Sequence, residues 1–518
     1  MANIRIIQLR ENNVRRLGPV SISLFALAGL VLGGWWFVSD TPSAHAQQSS
    51  APKLLRSTST PANSNPTLQP ANLPSVRVAA PGTEFYTAKR GDSIPLVAHQ
   101  NLKRTSFLTS SELADAIRKS NGDRTANMLK PGEEIVIPGI LSEPIVEKSI
   151  PVAKDFEVRA IYLTGVMAGS DHGLRIIRHW HEVGGNAVVF DIKDSDGSVN
   201  IAFDHPFVGK HNIYIHDLPK LTRFLHSEGM HAIARIAMFR DEKLVVTHPE
   251  LAVQSRRSGQ PWRENGKLVW TDPSQPKVQD YDIALAKFVA ASGVDEIQFD
   301  YVRFPAEGDQ KDAKFFYQSQ LPGPLKPQRS EVIANFLDRA YAQLHPTGVL
   351  LSLDVFGVMA WQRPVDLAHT GQDIVAMAKH CDVLSPMIYP SHFFGMDGIA
   401  HPGDAPEHFI GESMDRFRLI TKDSGVVLRP WLQAFAWRTK TYSPEYIKVQ
   451  VATSKDKGGV GFLFWNANND YSKPYTAMPE MRAAKDKYFR GDELPAAQTA
   501  AVRTPAASTT EAQASEHR

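Results

Sequence analysis

From Val158 to about Phe489, short apolar runs alternate with amphipathic stretches, and nothing else in the 518-residue chain limits its fold so tightly. The runs are 158–163, 187–191, 232–237, 296–300, 349–354, 383–389, 426–433 and 459–465. Helical spacing occupies the intervals, as in Leu218 to Gly229, Val278 to Ser292, Arg329 to Leu344 and Ser443 to Ser454. Strand and helix in alternation predict a parallel sheet with helical crossovers. An open doubly wound sheet also alternates, but no glycine-rich phosphate loop follows the first run. Eight repeats favour closure, so the expected fold class is α/β, a (β/α)8 TIM barrel over residues 157–489.

The flanks are of another kind. Arg15 and Arg16 precede an apolar run from Leu17 to Val38, then Ser43-Ala44-His45-Ala46, which predicts a secretory signal peptide over residues 1–46. The alternative is an uncleaved inner-membrane anchor, because the run approaches bilayer-spanning length. Both place the bulk of the chain outside the cytoplasm, in the periplasm, the cell envelope or the medium. Residues 47–82 and 490–518, rich in Ser, Pro, Ala and Thr, read as a disordered linker and tail. A net charge of +2 offers no excess to neutralise phosphates, so no nucleic-acid partner is expected. The single cysteine, Cys381, permits neither an internal disulfide nor a thiolate zinc cluster.

In barrels of this type the chemistry sits at the C-terminal strand ends. Asp191, Lys193 and Asp194 follow the second run, Arg235 lies in the third, and Asp300 and Asp354 end the fourth and fifth. Side chains alternate along a strand, so Glu296, Gln298 and Asp300 share one face, as do Ser352 and Asp354. With the polar members inward, Asp191, Asp300 and Asp354 converge at the mouth, and Glu296 lies far from it. Paired carboxylates are what glycosidic cleavage requires, one as acid and one as nucleophile or base. An Asp that caps a helix is the competing role for each of them. Lys193 and Arg235 suit substrate contact or a salt bridge. Tyr301 and Arg303 beside Asp300, Tyr389 and His392 after strand six, Trp431 and Gln433 in strand seven, and Trp465 and Asn466 after strand eight complete a set suited to sugar rings. No cofactor is called for. A metal site is not expected either, because His179 and His181 at i, i+2 on a helix diverge.

Residues 83–140 begin FYTAKRGDSI and end LKPGEEIVIP, in predicted β-α-α-β order. This unit resembles the LysM domain, which implies binding to N-acetylglucosamine-containing glycans such as peptidoglycan. The segments NAVVFDIKDSDG, VDEIQFDYVRFP, LSLDVFG, LSPMIYPSHF and GFLFWNANNDYS resemble a glycoside hydrolase-like domain family related to the α-amylase-like barrels. That resemblance implies a TIM barrel and glycosidase-like activity, with Asp300 as nucleophile; the leading expectation is a glycoside hydrolase acting on a cell-envelope or extracellular polysaccharide, with Asp354 as acid/base. The related barrels carry a Glu after strand five and an Asp after strand seven; this chain has Asp354 and Trp431-Gln433. A non-catalytic glycan-binding protein is the reading from a different class.

Overall fold

A computed structural model describes residues 79–267, 269–320 and 327–491. The expected signal segment, all but the last residues of the linker, and the tail beyond Gly491 lie outside the described residues. Among the described residues no helix is long and apolar enough to cross a membrane.

The first unit pairs β1 (Thr83–Thr87) with β2 (Glu134–Pro138) antiparallel, in the register Thr83↔Pro138 to Thr87↔Glu134. Two helices, Ile94–Asn101 and Ser110–Ser120, lie between them in sequence. Ser93 and Thr109 cap these helices, each side chain accepting a backbone N–H three residues on. A lone hairpin is marginal in water. This one is backed by a core of Ile94, Val97, Leu113, Ile117, Ile135 and Ile137. The unit docks on the larger domain through Thr109 to Asp171 and through Lys220 Nζ, which donates to Leu102 O at 2.9 Å.

The larger domain is a ring of parallel strands: β3 (Val158–Leu163), β4 (Ala187–Lys193), β5 (His231–Ala237), β7 (Glu296–Asp300), β9 (Leu350–Phe356), β10 (Val383–Ile388), β11 (Val427–Leu428) with β12 (Trp431–Gln433), and β13 (Gly461–Trp465). Pairing of β9 with β10 closes the ring into the eight-strand barrel. Two short strands, β6 (Gln254–Ser255) and β8 (Ala313–Lys314), pair antiparallel in the loops after β5 and β7. The seventh stave, expected unbroken, is interrupted at Arg429-Pro430. Proline has no N–H to give the ladder, and the gap falls there. At the start of β13, Gly461 has φ 74°, and a Cβ there would lie 2.0 Å from Val158 O. Only glycine allows that approach.

Alternation sorts the side chains into two layers. Ile161, Val188, Phe190, Ala234, Ile297, Phe299, Leu351 and Leu353 face outward and meet the helices. Ala160, Tyr162, Val189, Ile233, Trp431 and Leu463 fill the interior. The floor of the interior is ionic. Arg429 Nη1 donates to Glu296 Oε2 at 2.7 Å, and His231 Nε2 lies 3.1 Å from the same oxygen. Burial by itself would raise the Glu296 carboxyl, but Arg429 and His231 hold it down to about 2. Glu296 is therefore a stabilising element at the bottom of the barrel, away from the mouth.

Candidate active site

Asp300 is the last residue of β7, and Tyr301 turns the chain with φ 55°. That turn aims the Tyr301 N–H back at Asp300 Oδ1, 2.6 Å away. The other oxygen, Oδ2, accepts from Arg235 Nη2 at 2.5 Å. Arg235 stands on β5 in register with Asp191 on one side and Gln298 on the other. Its Nη1 donates to Asp191 Oδ1 at 2.5 Å, and its Nε lies 3.7 Å from Asp354 Oδ2. One guanidinium thus faces carboxyls from β4, β7 and β9. Burial alone would loosen the Arg235 proton, but Asp191 and Asp300 raise its pKa well above the ordinary value.

Asp354 and Asp300 are neighbours in unlike surroundings. Phe299 pairs with Leu353, which sets Asp300 beside Asp354 on the adjacent strand. Asp354 is 1% exposed; its Oδ1 accepts from Trp431 Nε1 at 2.7 Å, and its Oδ2 accepts no hydrogen bond from the described residues. Burial, and then the Asp300 charge, push the Asp354 carboxyl well above the carboxylate range; Arg235 and Trp431 pull the other way. Its surroundings favour the protonated form. Asp300 instead makes two hydrogen bonds that a carboxylate accepts, one of them from a cation. Two carboxyls with opposed environments are the pattern of an acid and a nucleophile.

Behind them Asp191 Oδ2 accepts from the Tyr162 hydroxyl. Asp194 is raised to about 9 by burial and by the Asp191 charge, and a hydrogen bond joins the two carboxyls. Asn200 Nδ2 holds this pair, reaching Asp191 O at 3.1 Å and Asp194 Oδ2 at 3.3 Å.

One wall of the mouth is aromatic. Trp465 stacks on Tyr162 with centroids 6.3 Å apart, and contacts Tyr389 at 5.8 Å and Phe435 at 5.4 Å. His392 lies 5.4 Å from Tyr389 and 5.0 Å from Trp437. Burial and then Arg438 lower its pKa to about 4, so the ring is neutral at physiological pH. Flat apolar faces beside hydroxyl and imidazole groups suit a pyranose.

Four expected site residues take other positions. Lys193 is turned outward behind β4 and buried, Nζ donating to Asp241 Oδ2 at 3.0 Å and Asp282 Oδ1 at 2.8 Å. A register shift between Asp191 and Lys193 accompanies this placement. Gln433 is fully buried, its amide spent on Phe435 O and Thr439 Oγ1 and its carbonyl on Ser391 N. Asn466 ties its own loop to the one after β12, Nδ2 donating to Asp470 O and to Ala434 O. Trp431 was expected as a ligand wall; it is 1% exposed, and its indole N–H is spent on Asp354 Oδ1. Tyr162 and Phe435 were missed. For Tyr162 the signal was available, since it shares strand parity with Val158 and Ala160 and stands near the end of the first run.

The family described as "Putative glycosyl hydrolase domain" matches residues 160–471. Among solved structures, a hypothetical protein from Ruminiclostridium thermocellum ATCC 27405 is 36% identical, with 38% of this chain and 97% of that chain covered and a TM-score of 0.33. The PgaB (BpsB) glycoside hydrolase domain from Bordetella bronchiseptica is 14% identical over 65% of this chain and 99% of that one, with a TM-score of 0.49. The spore cortex-lytic enzyme SleL from Bacillus megaterium QM B1551 is 12% identical over 78% and 86%, with a TM-score of 0.38. No curated protein matches the chain. Because the matched residues run from the first stave of the barrel to beyond the last, and take in every carboxyl at its mouth, the chain belongs to this glycosyl hydrolase domain family.

Proposed function

We propose that the protein is an exported glycoside hydrolase that cleaves a cell-envelope or extracellular polysaccharide, with Asp354 as the acid and Asp300 as nucleophile or charge stabiliser. The observation that carries this reading is the contrast between the two carboxyls. Asp354 is buried and pushed upward, and its Oδ2 has no hydrogen-bond partner among the described residues. Asp300 is matched to Arg235 and to a backbone N–H. In the proposed reaction Asp354 protonates the leaving glycosidic oxygen while positive charge grows at the anomeric carbon. Asp300 meets that charge, or forms the glycosyl bond that water then breaks. Trp465, Tyr389 and His392 would hold the sugar ring. The β-α-α-β unit, docked on the barrel, would hold the polymer as a LysM-like glycan-binding module.

The test is release of new reducing ends by the full chain from peptidoglycan and from a panel of extracellular polysaccharides. Product anomers would separate retention from inversion. Tight binding to insoluble peptidoglycan with no cleavage of any polymer sinks the hydrolase reading and leaves a glycan-binding protein.

Trp431→Phe gives a finer check. The indole stabilises the charged form of Asp354, so its loss raises the Asp354 pKa further. A general acid works protonated, and activity falls as pH rises through that pKa. The alkaline limb of the kcat profile is therefore expected to move to higher pH, with a stability loss of about 1–3 kcal/mol from the stranded Oδ1. An unmoved limb removes Asp354 as the acid.

A further inference from the structure

Among the described residues the barrel buries three arginines, Arg235, Arg303 and Arg429, and pairs two of them directly with carboxylates. Arg235 meets Asp191 and Asp300, and Arg429 meets Glu296. Arg303, in the turn after β7, has no carboxylate within 4.0 Å among the described residues, and its one hydrogen bond goes to Phe304 O at 3.1 Å. Its guanidinium lies 4.3 Å from the Phe356 ring centroid, 4.7 Å from Trp270 and 5.6 Å from Tyr301.

A second cation stands on the same ring. Arg240, half-buried in the loop after β5, lies 5.4 Å from the Tyr301 centroid and donates to Ser195 Oγ at 2.8 Å. It too has no carboxylate within 4.0 Å among the described residues. Burial, with Arg240 adding to it, lowers the Arg303 pKa against the pull of Glu264, Tyr301 and Asp300. Glu264 acts on Arg303 only from beyond 4.0 Å, its oxygens held by neutral donors, Oε2 by Trp270 Nε1 at 2.6 Å and Oε1 by the Glu307 N–H at 3.2 Å.

Taking a guanidinium out of water without a carboxylate in direct contact is costly, and ring faces recover only part of that cost. The Arg240 charge repels Arg303 as well. The arrangement is reasonable where a bound anion completes it. We propose that Arg240 and Arg303 form the anion-recognising part of a subsite beside Asp300, which takes a sugar residue carrying a negatively charged substituent. A carboxylate, as in a uronic acid or a lactyl-ether sugar, matches the planar fork of a guanidinium in bidentate fashion. A sulfate or phosphate ester shares that chemistry. The identity of the ligand as a glycan rests on the hydrolase reading; the demand for an anion rests on the two arginines.

The test is calorimetric titration of the full chain with three probes: oligogalacturonate, its carboxyl-reduced neutral counterpart, and a sulfated galactan oligosaccharide. An acidic probe is expected to bind at least about tenfold more tightly than the neutral one, as for hydrogen bonds to charged groups. Salt should shrink that ratio. Arg303→Gln and Arg240→Gln should each bring the ratio close to one. Arg240 is the safer of the two, because its half-exposed side chain leaves the core undisturbed. Preference for oligogalacturonate over the sulfated probe identifies a carboxylate as the substituent, and the reverse order identifies an ester; either supports the subsite. Equal affinity for acidic and neutral probes, no binding of either acidic probe, or a ratio that survives both substitutions overturns it. Binding is read without turnover. An acidic preference with no cleavage of any glycan would therefore keep this inference and discard the hydrolase.

Discussion

Asp300→Asn is expected to lower the hydrolytic kcat by about 10⁴-fold or more, with the folded structure intact. The side chain keeps its shape, and an amide oxygen can still accept from Arg235 or from the Tyr301 N–H. Arg235 also retains Asp191 at 2.5 Å, so the substitution does not strand a buried cation. What disappears is the negative charge that would meet the anomeric carbon. The variant also removes one of the influences that push Asp354 upward, so its residual pH profile should shift toward lower pH. The measurements are initial rates of reducing-end release across pH, with circular dichroism and thermal melting as controls. Full activity in a folded variant would take Asp300 out of the mechanism.

Lys193→Met is expected to cost about 3–5 kcal/mol of stability, although Lys193 touches nothing at the barrel mouth. Its ammonium is fully buried against Asp241 and Asp282, and also donates to Met238 O at 3.1 Å. Burial opposes that charge, yet the two carboxyls outweigh it and raise the Lys193 pKa. One cation cannot match two carboxylates, and burial leaves Asp282 pushed up to about 7 even with Lys193 in place. Methionine fills similar space but strands both carboxyls.

The pH dependence has a definite sign. A carboxyl whose folded pKa exceeds its unfolded value loses stability as pH rises from the unfolded pKa through the folded one. Removing Lys193 raises the Asp282 pKa further, so the deficit should be larger at about pH 8 than at about pH 5. Denaturant melts of the native chain and the variant at both pH values check this. A deficit under about 1 kcal/mol at the higher pH would mean that the buried triad is not a stabilising unit.

Lys193 and Arg235 show where a one-dimensional reading stops. Both were candidates of equal standing, each a cation in a strand that leads to the mouth. Strand parity turns Arg235 inward with Asp191 and Asp300, whereas the register shift before Lys193 sends it to the helix Pro276–Ala290. A bulge of one residue reverses the facing of everything beyond it. No local signal in DIKDSDG marks that shift. Gln433 and Asn466 were misplaced for a related reason. Their types suit sugar hydroxyls, but loops that turn sharply at the barrel rim have backbone groups of their own to satisfy, and those loops took both amides.

Trp431 illustrates a different limit. A tryptophan at a strand end reads as a ligand platform, and its role depends on how deep the stave sits. The break at Arg429-Pro430 resets the seventh strand, and the buried indole donates to Asp354.

The order of strands and helices, and the inward parity of Glu296, Gln298 and Asp300, are properties of the sequence itself. Periodicity and strand alternation are local, and a chain with eight such repeats has few ways to bury them. The outward turn of Lys193 and the unlike surroundings of Asp300 and Asp354 were decided by tertiary structure alone. Those depend on register between strands distant in sequence, on which side chains exclude water, and on which charge lies nearest. A carboxyl's protonation is set by its neighbours in space, and neighbours in space are what a linear order leaves open.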